Sequence, residues 1–344
     1  MEKKKIAITG ATGMLGSELV RQLLPTGAEI RLVVRNRAKL ERLFGEEGTA
    51  RFEVVECGLT NPEELREAFA GVEIVFHCAA QVSFRLATDD DMVRTNTDIT
   101  HHVVNACIDA GVDRLVHVSS IAALGEPNER GIIDADSYPD TVAGWNGYSL
   151  SKFYSENEVW RGIRYGLKAT IVNPSIILGP GPWKGEGSSA LFAAFASGIS
   201  FYVPGVNGYV DQRDVAGAMI LLAAAPEAVN RRFILSGANV SYQELITLIA
   251  ESVGKRPPRY RIGERGLNRA RRALELVAKL TRTQPVLTEA LVKAAVTESR
   301  YDGEAVRQVV DFEYRPIGET VRYMAAAYLE DKRQAKEHKK NRKK

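Results

Sequence analysis

Long apolar runs are missing from this chain. Its 344 residues hold no stretch of about 18 uncharged apolar residues, so the sequence predicts no membrane-spanning helix. Met1-Glu2-Lys3-Lys4-Lys5 leads straight into a short apolar run, without the apolar core and cleavage site of a signal peptide. Cysteine is scarce: Cys57, Cys78 and Cys107 are odd in number and lack metal-ligand spacing. A disulfide framework is therefore excluded, and a reducing, cytoplasmic setting is expected. Of the five histidines, His77, His101, His102, His117 and His338, His77 and His117 fall in strand runs as packed core, and His101-His102 on a long helical pattern has no carboxylate or cysteine at ligand spacing, so no metal site is expected. A basic surplus is also lacking. Net charge is +3, but residues 332–344 hold eight Lys/Arg against one Glu, which leaves −4 for the rest. The body thus offers no footprint for nucleic acid, and residues 331–344 read as a basic, disordered tail.

The first half alternates short Val/Ile-rich runs with amphipathic stretches. The runs fall at 6–9, 30–34, 52–55, 72–77, 115–118 and 169–172; the helical patterns fall at 14–24, 62–69, 92–110 and 148–165. Short continuous apolar runs suit parallel strands buried on both faces. The β-α-β-α order predicts a doubly wound α/β sheet of the Rossmann type. After Pro174 glycine and proline cluster, and two longer helical patterns follow at 266–280 and 287–296. The expected division is a dinucleotide-binding domain over 1–174, to which parts of 205–240 return, and a smaller α+β substrate lobe over 175–330.

Thr9-Gly10-Ala11-Thr12-Gly13-Met14-Leu15-Gly16 forms a strand end, a tight turn and a helix start. Gly10 permits the turn, Gly13 lets backbone approach a diphosphate, and Gly16 lets the helix pack close. The amides at the helix start face the phosphates. At the end of the second strand, Val34-Arg35-Asn36-Arg37 has no acid to hold a ribose hydroxyl pair. Arg35 and Arg37 suit a 2′-phosphate instead, which favours NADP, with NAD as the alternative.

Tyr148 and Lys152 stand four apart on a helical pattern and so share a face. A phenol titrates near ~10, and a nearby ammonium lowers that value, which lets Tyr148 exchange protons with a carbonyl oxygen. Ser119 and Ser120 end a strand at the edge where open α/β sheets bind ligands. Ser120 is the candidate to orient the substrate oxygen, with Ser119 as its structural partner.

With these motifs in order, the chain resembles the extended short-chain dehydrogenase/reductase family, in the NAD-dependent epimerase/dehydratase superfamily. The resemblance also rests on His77-Cys78-Ala79-Ala80, Asn96 in a helix, Asn173-Pro174-Ser175-Ile176-Ile177-Leu178-Gly179-Pro180-Gly181 and Val210-Asp211-Gln212-Arg213-Asp214, and spans roughly residues 4–330. It implies that Thr12, Met14, Leu15, Ala79 and Ala80 line the cofactor, that backbone around Pro174 and Ile177 faces the nicotinamide, and that Asn96 supports the Lys152 network. Dihydroflavonol-reductase-like and hydroxysteroid-dehydrogenase-like members are the most similar, and the former carry an arginine for the NADP 2′-phosphate where Arg35 stands. One departure is Gly58, where the family usually has an aspartate near the adenine.

The resulting expectation is an NADP-dependent reductase of a ketone or aldehyde on a small apolar or ring-bearing molecule. Two other readings are kept. A nucleotide-sugar epimerase with bound NAD would use Lys184, Arg213 and Arg231 as phosphate partners, and a cofactor-binding sensor or scaffold would not turn over. The polar segment 126–147 is expected to carry specificity, with Tyr138 and Trp145 as candidate contacts. The basic amphipathic stretch 266–280 or the tail offers a peripheral membrane contact. A homodimer through the helices at 92–110 and 148–165 is implied by the resemblance.

Overall fold

The computed structural model describes residues 1, 3–81, 89–185, 187–281 and 289–341. In its first half, β1 (Lys5–Thr9), α1 (Met14–Leu23), β2 (Glu29–Val34), α2 (Arg37–Thr49), β3 (Glu53–Glu56), α3 (Pro62–Phe69), β4 (Ile74–His77), α4 (Asp89–Asp109), β5 (Arg114–Val118), α5 (Gly147–Arg164) and β6 (Ala169–Pro174) follow one another. The second half runs β7 (Ile176–Leu178), α6 (Ser188–Ala196), β8 (Phe201–Tyr202), β9 (Val206–Asp211), α7 (Gln212–Ala224), β10 (Arg231–Leu235) and β11 (Ala238–Ser241). It continues through α8 (Tyr242–Ser252), β12 (Tyr260–Arg261), α9 (Glu264–Thr281), α10 (Glu289–Val296) and α11 (Ile317–Asn341).

Seven parallel strands form the main sheet in the order β10-β6-β5-β4-β1-β2-β3. The order reverses beside β1, which places the ligand crevice at the carboxyl ends of β1 and β4. Alternation along each strand divides the core. Ile6 and Ile8 join Leu19, Leu222 and Phe233 on one face, while Ala7 joins Phe69, Val103 and Val159 on the other. Helices α1 and α7 pack together, as do α4 and α5. The chain leaves β6 for β7 and β9, then returns to the main sheet as β10 within the 205–240 span. A second core gathers Leu178, Phe192, Tyr209, Leu245, Met324 and Tyr328.

Local chemistry sets the helix starts. Asn61 accepts from the amides of Glu63 and Glu64 at 3.2 and 3.4 Å, with Pro62 at the first helical position. Asn146 caps α5 through the Ser149 amide at 2.9 Å. Ser241 caps α8 through Glu244 at 3.1 Å.

The structure corrects two sequence expectations. Helix α2 was not foreseen: it buries little besides Leu40, and Gly45 interrupts it with φ 74°. The segment 331–344 was expected to be disordered, yet α11 continues to Asn341. Good helix formers sustain it, and Glu330 pairs with Arg333 and Gln334 one turn on, at 2.9 and 2.8 Å. Of the 287–296 pattern, residues 287 and 288 lie outside the described residues. Among the described residues no helix is long and apolar enough to cross a membrane.

Candidate active site

The first site element is the turn after β1. Gly10 has φ 75°, and a Cβ there would lie 2.6 Å from the Ala79 amide nitrogen. A Cβ on Gly16 would strike the Gly10 carbonyl, so the helix seats on the turn only because it begins this way. Gly13 is exposed at the N-cap of α1, and no side chain caps the helix. The first-turn amides are left without intrahelical acceptors, which is the cradle a diphosphate fits. Thr12 and Met14 flank it, half-buried, while Leu15 is buried beneath.

Thr9 pairs with Val33 across the sheet, so the turn and the end of β2 emerge side by side. Arg35 is exposed there and has no ion pair among the described residues. Arg37 is tied to Glu41 at 2.9 Å. The two arginines differ in their surroundings: Arg35 has no ion pair among the described residues, while Arg37 makes an exposed pair with Glu41.

Beyond β4, Ala79, Ala80 and Gln81 are half-buried and pass the turn. Asn96 pins this strip from α4. It accepts from the Gln81 amide at 2.7 Å and donates to the Gln81 carbonyl at 2.9 Å. The same side-chain nitrogen reaches Ser151 Oγ at 3.3 Å on α5. Asn96 thus links the cofactor-side strip to the catalytic helix without touching Lys152 directly.

Helix α5 brings the proton-handling groups together. Tyr148 is hydrogen-bonded to Ser120, whose Oγ also accepts from the Ala122 amide at 3.1 Å. Burial pushes the Tyr148 phenol above its ordinary value, and the Ser120 hydrogen bond acts against that rise. One turn along, Lys152 is buried and donates from Nζ to the Val118 carbonyl at 3.1 Å. Burial pulls its ammonium down to about 8, although Cys78 and Glu156 favour the charge. Burial and Lys152 together hold His77 down to about 3, while His77 Nδ1 and Thr9 Oγ1 share a hydrogen bond of 2.7 Å. His117 is buried beside it, ring centroids 5.3 Å apart. Both histidines are neutral packing residues.

Ser119 turns inward and donates to Glu156 at 2.6 Å, a structural role. Pro174 ends β6 opposite Leu235, and Ile177 in β7 faces Val210, so both lie where the main sheet meets the second lobe. Sequence reasoning missed Glu156, Asn173 and Arg232, which form one buried cluster behind Ser120. Glu156 had a signal, since it repeats the four-residue spacing of Tyr148 and Lys152. Trp183, Phe192 and Tyr328 stack in the second core, with ring separations of 5.2–5.9 Å. Of the candidate phosphate partners in that lobe, Arg213 is held by Asp211 at 2.6 Å and by Glu319 at 3.5 Å. No cluster of potential metal ligands occurs among the described residues.

Fold and site define a nucleotide-binding enzyme of the extended short-chain dehydrogenase/reductase class. The chain belongs to the NAD dependent epimerase/dehydratase family, whose model matches residues 6–236. It is similar to sterol demethylase protein B of Methylococcus capsulatus, at 31% identity, with 75% of this chain and 77% of that protein covered. It is also similar to cinnamoyl-CoA reductase 1 of Oryza sativa subsp. japonica, at 31% identity, covering 74% and 78%. The crystal structure of gox2253 matches with a TM-score of 0.81 at 27% identity, over 96% of this chain and 99% of that one. The protein is an NAD(P)-dependent oxidoreductase, and its cofactor is a nicotinamide dinucleotide.

Proposed function

We propose that this enzyme reduces a ketone or aldehyde on a small apolar or ring-bearing molecule, reversibly, with NADP(H) preferred over NAD(H). The observation that carries the reading is the Tyr148–Ser120 hydrogen bond, set one helical turn from a buried Lys152. The bound nicotinamide supplies or takes up the hydride. Ser120 holds the substrate oxygen, and Tyr148 gives it a proton in reduction or removes one in oxidation. Lys152 would bring a positive charge to that exchange and would be the group to hold the cofactor ribose. Gly10, Thr12, Gly13, Met14, Leu15 and Gly16 hold the diphosphate, Ala79 and Ala80 line its path, and backbone near Pro174 and Ile177 borders the nicotinamide. Asn96 holds the strip opposite.

Exposed Arg35 beside the phosphate turn supports NADP, because a guanidinium matches a 2′-phosphate and no acid replaces it. The epimerase reading loses support from Arg213, whose charge is already met by Asp211 and Glu319. The relatives' names refer to a sterol and to cinnamoyl-CoA, so sterol ketones and aromatic carbonyl compounds are the first to try. The test is calorimetric titration with NADPH and NADH, followed by a carbonyl screen on the enzyme and on Tyr148→Phe. Expected are tighter NADPH binding and a turnover loss of about a hundredfold or more in the variant, with binding retained. Turnover in Tyr148→Phe equal to that of the parent would sink the assignment.

A further inference from the structure

Strand β10 carries a charge inside the protein. Arg232 Nη1 meets Glu156 Oε1 at 2.9 Å, and each side chain is only 4% exposed. Nothing in the hydride chemistry calls for this pair. A buried ion pair adds little stability over an apolar pair of the same shape, so its presence asks for another reason.

Its hydrogen bonds suggest one. Glu156 Oε2 accepts from Ser119 Oγ at 2.6 Å and from Asn173 Nδ2 at 2.8 Å. The same Asn173 nitrogen donates to the Ser120 carbonyl at 2.9 Å. Glu156 therefore fixes both residues at the end of β5, one of which is hydrogen-bonded to Tyr148. On the other side, Arg232 Nε donates to the Ala135 carbonyl at 2.8 Å, and Nη2 donates to the same oxygen. The Tyr138 ring lies 4.3 Å from the guanidinium carbon. Ala135 and Tyr138 belong to the segment between β5 and α5. An apolar pair could pack α5 against β10, but it could not hold that carbonyl or orient the serines.

We propose that Glu156 and Arg232 are positioning residues that lock the 126–146 segment to the catalytic helix, so that the substrate-side loop and the Ser120–Tyr148–Lys152 set are held in one register. Arg232 acts on the loop, and Glu156 acts on Ser120 and on the charge of Lys152. Among the described residues, the titratable groups facing Lys152 are His77 and Cys78 from β4 and its end, His117 from β5, and Tyr148 and Glu156 from α5. Of these only Glu156 is a carboxylate. The loop's part in substrate binding rests on the reductase reading; its attachment to α5 does not.

The test uses Arg232→Lys and Glu156→Gln, with the double variant Glu156→Gln/Arg232→Met as a charge-neutral control. Readouts are kcat and KM against pH, and backbone hydrogen exchange of the NADPH-bound enzyme. Arg232→Lys keeps a charge for Glu156 but loses the fork to Ala135. It should raise KM about tenfold, leave kcat within about twofold and speed exchange across 126–146 but not across α5. Glu156→Gln should lower kcat and move the midpoint of its pH profile down by about one unit, with KM little changed. If a single variant fails to fold, the double variant should fold, show the faster loop exchange and keep the lowered midpoint. Parallel changes in kcat and KM with faster exchange throughout, or wild-type behaviour in the double variant, would overturn the proposal. If the parent reduces no carbonyl, the reductase reading fails, while loop exchange in Arg232→Lys still decides whether the pair holds the loop.

Discussion

Replacing Lys152 with Met should make the protein more stable at neutral pH while abolishing its chemistry. Lys152 is 8% exposed, and its ammonium is held at about 8 instead of the ordinary 10.5. An unfolded chain keeps that proton up to the ordinary value, whereas the folded chain releases it near 8. Between those two values the unfolded state binds more protons, so stability rises with pH across that window. Below it the full cost of burying the charge is present. A gap of this size corresponds to roughly 3 kcal/mol, at about 1.4 kcal/mol per pH unit. The hydrogen bond to Val118 returns about 1 kcal/mol of it. The Met variant should therefore be about 1–3 kcal/mol more stable near pH 7, and the difference should vanish by about pH 10–11. Burial of Cys57 and Cys78 raises their thiols to about 11 and about 12, so stability from these groups falls as pH rises through the alkaline range. The parent–variant difference in urea unfolding, measured at several values from pH 6.5 to 10.5, removes the Cys57 background, and holding the highest value below the raised Cys78 thiol keeps that group protonated in the folded state of both proteins. A variant less stable at pH 7, or a difference that does not change with pH, would refute the reasoning.

Arg35→Ala should weaken NADPH binding about tenfold to a hundredfold and leave NADH binding unchanged, since the side chain is exposed without an ion pair among the described residues and its loss touches only the 2′-phosphate. Arg37→Ala should change NADPH affinity by less than about threefold in the same titration, because Glu41 already holds that guanidinium. Gly10→Ala should lower stability by more than about 1 kcal/mol in a thermal melt and abolish dinucleotide binding, because its φ of 75° and the 2.6 Å approach to the Ala79 nitrogen leave no room for a methyl group. Normal melting and binding in that variant would show that the turn is not held as described.

The parts of the site that the sequence displayed are those encoded locally. Three glycines in a strand–helix turn, a tyrosine and lysine four apart, and a serine ending an apolar run each lie within a few residues. The main strands were legible for a related reason: Val/Ile runs buried on both faces need no polar alternation. What stayed hidden depends on distant packing. Arg232 reads as a surface charge at the start of Arg231-Arg232-Phe233-Ile234-Leu235 until β10 pairs with β6 and carries it against α5. Helix α2 was masked by two glycines and a narrow apolar face. The end of α11 is hidden because a run of lysines signals solvation as readily as disorder, and the pairing of Glu330 with Arg333 and Gln334 shows only once the helix is formed.

Gly58 supplies a sharper test of how far resemblance carries. The family pattern implies an aspartate there beside the adenine, and the structure offers space for one: a Cβ on Gly58 would meet nothing within 4 Å. Its backbone does not require glycine either, since its φ is not positive. The local charge nonetheless opposes an acid. Glu64 Oε2 accepts from the Gly58 amide at 3.1 Å, and Glu64 Oε1 accepts from Asn61 Nδ2 at 2.7 Å. A carboxylate at 58 would stand beside that one, and two like charges at such range disfavour each other. An asparagine keeps the hydrogen-bonding oxygen and avoids the repulsion. Gly58→Asn should therefore tighten NADPH and NADH binding alike by several-fold, about the worth of one neutral hydrogen bond, and Gly58→Asp should gain less at pH 7. Adding Glu64→Gln should bring the aspartate variant level with the asparagine variant. If Gly58→Asp binds more tightly than Gly58→Asn while Glu64 is intact, Glu64 does not govern this corner, and adenine recognition follows the family pattern despite the glycine.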